Sequence, residues 1–137
     1  MAYTIDELTV GQKASFSKTV TETDIYLFAG VSGDFNPMHV NAEYAATTPF
    51  GQRIAHGILS VSFISTVIAT QLPGTGTIYV GQNVKFTAPV YIGDTVTATV
   101  EVKEIIKEKN RVILTTTCTK QDGTVTLVGE ATVMPPK

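Results

Sequence analysis

The rhythm of apolar and polar positions changes twice along this chain, and the changes mark out its elements. Residues 14–20 suit a short first strand. Thr21-Glu22-Thr23-Asp24 then reads as a helix start, with Thr21 as N-cap and an acid three residues on. Ile25, Leu27, Phe28 and Val31 form the apolar side of that short helix, and Ser32-Gly33 ends it. Asn41 caps a further short helix through Glu43, Tyr44, Ala45 and Ala46, and residues 47–55 read as loop. From Gly57 to Leu72 the pattern is different. Ile58, Leu59, Val61, Phe63, Ile64, Val67, Ile68, Ala69 and Leu72 point all round a helical wheel, most other positions are Ser or Thr, and no charge occurs. A helix apolar on every side is a buried helix. Its 16 residues would run about 24 Å, and Pro73-Gly74 stops it.

Beyond that helix the signal is β. Residues 76–88, 95–108, 111–121 and 124–134 are rich in Val, Ile, Thr and Tyr, and Thr95-Val96-Thr97-Ala98-Thr99-Val100-Glu101-Val102 alternates cleanly. Asp122-Gly123 suits a two-residue hairpin turn, Lys109-Asn110 a second turn, and Tyr91-Ile92-Gly93-Asp94 a connection after Pro89. The predicted class is therefore α+β: a curled antiparallel sheet wrapped around one long central helix. No repeat, low-complexity tract or linker interrupts the chain, so residues 1–137 are expected to form a single domain. One protomer would leave part of the helix or a sheet edge uncovered, which points to a dimer.

Composition narrows the partners. Hydrophobic residues make up 43% of the 137, charged residues 16%, and the net charge is −2 without any Lys/Arg run. That excludes disorder and argues against nucleic acid as the main partner. No stretch approaches ~20 apolar residues, and the N-terminus lacks the basic and apolar regions of a signal peptide, so a membrane span and secretion are not expected. The lone cysteine, Cys118, sits in the strand-like run Thr115–Thr119 and reads as a quiet buried thiol. It fits a cytoplasmic setting.

The chemistry concentrates in Gly33-Asp34-Phe35-Asn36-Pro37-Met38-His39. The residue before a proline is pushed out of the helical region, so this segment is expected to be a bent, ordered loop. Such a loop can aim the Asp34 carboxylate and the His39 imidazole at one point, a common way to handle a proton near neutral pH. Asp34 also has a bland reading, a turn residue holding a nearby backbone N–H. Asn36 can hold the loop or hydrogen-bond near the site, and loop support is favoured. A second cluster, Ala55-His56-Gly57-Ile58-Leu59-Ser60, opens the long helix. Gly57 would bring free N–H groups and the positive end of the helix dipole to a ligand. Asp34, His39 and His56 could ligate a metal, but their spacing matches no closed zinc pattern, and none is expected. No Gly-rich phosphate loop occurs, so no nucleotide cofactor is implied.

On these residues the chain resembles the MaoC-like hot-dog proteins, and within them the (R)-specific enoyl-CoA hydratases. The resemblance rests on Phe28-Ala29-Gly30-Val31-Ser32-Gly33-Asp34-Phe35-Asn36-Pro37-Met38-His39, on His56-Gly57, and on Tyr79–Val90 with Gly93-Asp94. Met38 departs mildly from the branched aliphatic residue of the family. The resemblance implies a hot-dog fold, with Asp34 and His39 as the catalytic pair on one water, Gly57 N–H on the thioester oxygen, and Ser65 as a supporting residue two turns into the helix. It further implies syn addition of water to a short- or medium-chain enoyl-CoA, giving the (R)-3-hydroxyacyl product, as in supply of polyhydroxyalkanoate precursors. The expected form is a cofactor-free homodimer. Alternatives are an (R)-3-hydroxyacyl-ACP dehydratase, a thioesterase and a non-catalytic acyl-CoA-binding module. Phe28, Met38, Tyr44, Phe50, Phe63 and Ile64 are candidates for an acyl slot, and Arg53 and Lys85 for the CoA arm.

Overall fold

The computed structural model describes residues 2–137. Strand β1 (Lys13–Thr19) leads into α1 (Glu22–Ser32) through the expected capping box. Thr21 Oγ1 accepts from the Asp24 N–H at 3.1 Å while Asp24 Oδ2 accepts from the Thr21 N–H at 2.9 Å, so two orphan donors are satisfied. Gly33 ends α1 in the left-handed conformation, with φ 82°, a backbone state other residues take only with strain. The expected apolar side of α1 is buried only in part, with Phe28 packed against the core. Ile25 and Ala29 are buried, whereas Leu27 and Val31 are 63% and 88% exposed. Leu27 lies about 200° around the helix from Ile25, so one side had to face out.

The expected bent loop after Asp34 contains a turn of helix, α2 (Pro37–Val40). Asn36 caps it, its Oδ1 accepting from the Met38 N–H at 3.2 Å, and Pro37 fills the first position, where no N–H is needed. Asn41 caps α3 (Ala42–Ala46) as expected. The long helix, α4 (Gly57–Thr70), ends two residues early.

Strands β2 (Ile78–Phe86), β3 (Thr95–Ile106), β4 (Arg111–Thr119) and β5 (Val125–Met134) complete one antiparallel sheet in the order β1-β3-β4-β5-β2. The β4–β5 turn differs from the two-residue form expected of Asp122-Gly123. Lys120 N–H donates to Thr124 O at 2.9 Å and Gly123 N–H to Lys120 O at 2.9 Å, enclosing three residues. Only Gly123 has positive φ, at 86°. A type I′ turn needs two such residues, and a three-residue loop needs one. At the β3–β4 turn, Asn110 takes φ 50° after a single turn, Lys107–Lys109.

Alternation sorts the sheet into two faces. Val96, Ala98, Val100, Val102, Val112, Leu114, Leu127, Ala131 and Val133 are buried toward α4, which meets them with Leu59, Phe63, Ile64, Val67 and Ile68. The opposite face carries Thr97, Thr99, Glu101, Thr115 and Thr117, half-buried. As expected of a single protomer, one flank of α4 is left uncovered. Ile58 is 55% exposed, and Ser62 and Ala69 on the same flank are exposed, because five strands reach only part of the way round. Among the described residues no helix is long and apolar enough to cross a membrane.

Gly129 marks the tightest approach in the sheet: a Cβ there would lie 1.9 Å from the carbonyl oxygen of Asn83 on β2. Gly129→Ala is expected to lower the unfolding free energy, read from urea titration, by about 1–3 kcal/mol or more, whereas a change near zero would show that β2 and β5 part freely.

Candidate active site

Two loops converge where α4 begins. The first carries Asp34, Asn36 and His39 on α2 and its lead-in. The second, residues 54–56, runs between α2 and the β2–β3 connection. Ile54 N–H donates to Met38 O at 3.2 Å and Ala55 N–H to Val90 O at 2.7 Å, and Ile54 also bridges to Tyr91. A loop bonded on both sides is a fixed platform. From it, Ile54 O accepts from His39 Nδ1 at 2.7 Å. A carbonyl can only accept, so Nδ1 carries a proton and Nε2 is the nitrogen left for another partner. His39 is 7% exposed.

Asp34 is exposed and comes to the histidines from the loop side. Its Oδ1 accepts from the Asn36 N–H at 3.1 Å, the bland turn role, while its carboxylate also lies within 4.8 Å of a ring nitrogen of His39 and of His56. The two readings of Asp34 are therefore compatible. A separation of that size is one that a single water spans with hydrogen bonds of about 2.8 Å. Asn36 supports the turn through its cap, as favoured from sequence.

A cavity of about 440 Å³ opens beside His39, and Asp34 stands outside its lining. His39, His56, Gly57 and Ser60 form its polar end, and Phe50, Ile54, Ile58, Phe86, Pro89 and Val90 its apolar wall. His56 caps α4 without a side-chain cap bond; Leu59 N–H donates to His56 O at 3.1 Å, and Gly57, at the first position of the helix, lines the cavity. The absence of a Cβ at Gly57 has a packing reason too: one would meet the Phe86 ring at 2.9 Å.

Several expected residues lie elsewhere. Ser65 is half-buried and stands off the pocket wall, and Ser60 takes the place on α4 that faces the cavity. Ser60 is one turn from Gly57, so helical spacing alone held that signal. Of the six candidates for an acyl slot only Phe50 lines the cavity. Phe63 and Ile64 turn toward the sheet, Tyr44 is 49% exposed, and Phe28 packs on His56 with ring centroids 4.7 Å apart. Phe86 was missed because its place depends on strand register. Arg53 pairs with Glu22 at 3.1 Å and donates to Tyr26 at 2.9 Å. Lys85 alternates with Phe86 onto the other face of β2. Neither cation faces the cavity.

Asp34, His39 and His56 do gather closely enough to raise the question of a metal. The rings of His39 and His56 are stacked, with centroids 4.0 Å apart and planes at 28°. An imidazole holds an ion in its own ring plane, so stacked rings aim their lone pairs side by side. One nitrogen of each ring is also bonded to a carbonyl. The arrangement suits proton handling better than a shared ion.

Two expectations follow. Asn36→Ala removes the α2 cap and should lower unfolding free energy by about 1 kcal/mol, with Asn36→Asp retaining most of it; equal stability of all three proteins would deny the cap. Burial pushes the Cys118 thiol up to about 12, so at pH 8 the native protein should resist a disulfide reagent that labels it fully in urea. Rapid native labelling would contradict that.

Residues 7–124 match the family described as MaoC like domain. The chain is 59% identical to an "(R)-specific enoyl-CoA hydratase" of Rhodospirillum rubrum, over 96% of this chain and 90% of that one. It is 45% identical to an "(R)-specific enoyl-CoA hydratase" of Aeromonas caviae, covering 94% of this chain and 96% of that one. Its structure is similar to that of the unliganded R-hydratase PhaJ1 of Pseudomonas aeruginosa, with a TM-score of 0.93 at 51% identity, covering 98% and 86% of the two chains.

Proposed function

The chain belongs to the MaoC-like family, and from that premise we infer that it is an (R)-specific enoyl-CoA hydratase of the hot-dog fold, a hydro-lyase. It adds water across the double bond of a trans-2-enoyl-CoA and gives the (R)-3-hydroxyacyl-CoA. The observation that carries the reading is the approach of the Asp34 carboxylate to His39 beside an apolar cavity and the first turn of α4.

Hydration needs a water that loses a proton as it attacks Cβ, a proton delivered to Cα, and stabilisation of the charge that builds on the thioester oxygen. Asp34 and the free Nε2 of His39 bind one water between them. As the water oxygen bonds to Cβ, the pair takes its proton, and the π electrons move toward Cα and the thioester carbonyl. The pair returns a proton to Cα. Gly57 N–H donates to the thioester oxygen, helped by the dipole of α4. Asn36 holds Asp34 and α2 in place. The acyl chain lies against Phe50, Ile58 and Phe86. About 440 Å³ falls in the range of small-molecule pockets and supports a short to medium chain. The reaction requires no cofactor beyond the CoA of the substrate. A CoA-thioester substrate and a free buried thiol at Cys118 favour a cytoplasmic setting. Residues 1–137 act as one MaoC-like domain.

The working form is a homodimer. Both β1 and β2 are sheet edges, but β1 turns Lys13, Ser15 and Ser17 outward, whereas β2 exposes Ile78, Val80 and Phe86 by 51–56%. An unpaired apolar edge favours a second copy.

With crotonyl-CoA the protein should bleach the conjugated thioester absorbance, form (R)-3-hydroxybutyryl-CoA and release no free thiol. Asp34→Asn and His39→Ala should each lower kcat by about 10²–10⁴-fold. Thiol release would indicate a thioesterase. Turnover of enoyl-ACP alone would indicate the carrier-protein enzyme, and binding without turnover an acyl-CoA-binding module. Sedimentation should give twice the chain mass, and Val80→Lys should shift it toward the single chain; a monomeric wild type would overturn the dimer.

A further inference from the structure

His56 has no part in the chemistry described above, yet it is 3% exposed and lies at the centre of the site. Its Nε2 is 2.9 Å from the backbone carbonyl oxygen of Asp34, so Nε2 carries the proton and donates. Its ring stacks on His39 at 4.0 Å and packs on Phe28 of α1 at 4.7 Å. Its Nδ1 is buried and has no hydrogen-bond partner among the described residues. A buried polar atom without a partner costs about 1–3 kcal/mol, so His56 is a poor choice for packing alone. Phenylalanine would fill the same space without that penalty.

The histidine does what a hydrocarbon ring cannot. Residue 54 holds His39 through its carbonyl and residue 56 holds the backbone of Asp34 through its ring nitrogen, so one rigid three-residue segment fixes both members of the pair. Asp34 needs this more than His39 does. It is exposed, and the other bonds about it are local ones to Ser32 and Asn36 within its own turn.

We propose that His56 is a positioning residue for the hydration: its Nε2–H bond to the Asp34 carbonyl sets the distance between the Asp34 carboxylate and His39, and hence their joint hold on the water. The proposal rests on the hydratase reading. Displacing a reacting group by about 1 Å can lower rate by about 10²-fold without changing what the site binds. The stack on His39 has a lesser part, since it orients a ring already fixed by Ile54.

The test compares His56→Phe with His56→Gln in the crotonyl-CoA assay, with folding followed by thermal unfolding. Phenylalanine keeps the ring and loses the donor, and glutamine keeps a terminal N–H donor and loses the ring. His56→Phe is expected to fold and to lose at least about tenfold in kcat, with KM within about twofold. His56→Gln is expected to recover most of that loss. A His56→Phe protein with wild-type kcat, or a His56→Gln protein no better than it, would overturn the proposal. Should His56→Phe fail to fold, long-range proton–nitrogen spectra of the wild type decide. They should show His56 protonated on Nε2, and an Nδ1-protonated ring would overturn the bond on which the proposal stands. A wild type inactive on crotonyl-CoA would count against the hydratase reading, while the spectra would still report the bond.

Discussion

Helix α4 carries no charged residue in 14 positions, and its cover dictates where the rest of the chain goes. Its apolar side chains must leave water, and β1 with β2–β5 supply the surface that takes them. Once the helix is pinned across the sheet, its N-terminus is pinned too. That end is the polar end of the cavity, and the platform at residues 54–56 is the chain just before it. The loop bearing Asp34 and His39 is then tied to this platform by Ile54, and by His56 at the first position before α4. Hydrophobic burial thus sets the site geometry without any residue of the apolar core taking part in the reaction.

The same frame explains how polar groups survive there. His39 and His56 are buried, and each has one ring nitrogen bonded to a backbone carbonyl. Asp34 stays exposed in the protomer and so keeps its hydration. The site thus sets two imidazole rings inside and a carboxylate at the boundary. The open flank of α4 lies where the sheet does not reach, and β2 forms an apolar edge of the sheet itself.

Much of this was legible in the sequence because the decisive signals are local. The capping box at Thr21 and Asp24, the cap at Asn41, the left-handed stop at Gly33 and the strict alternation of Thr95–Val102 need no partner to be read. The Asp34/His39 pair was legible for the same reason, since one proline-bounded turn contains both. What failed depends on distance. The outward side of α1 is decided by what packs on Ile25, and the place of Phe86 by the pairing of β2 with β5. Ser60 instead of Ser65 faces the cavity because the helix is rotated by its seat on the sheet. Six apolar residues near the motif were equally good candidates for a pocket wall, and only Phe50 was placed on it, because composition does not distinguish a wall from a core.

The central claim is that one carboxylate–imidazole pair, held at one side of the substrate, handles both the water and the proton. The stereochemistry of addition tests it most directly. Crotonyl-CoA hydrated in deuterium oxide carries deuterium at C2 and the hydroxyl at C3, and their relative configuration is read from the proton coupling between the two carbons. A single pair on one face predicts syn addition, with (R) configuration at C3. Anti addition would require a proton donor on the opposite face and would contradict the account.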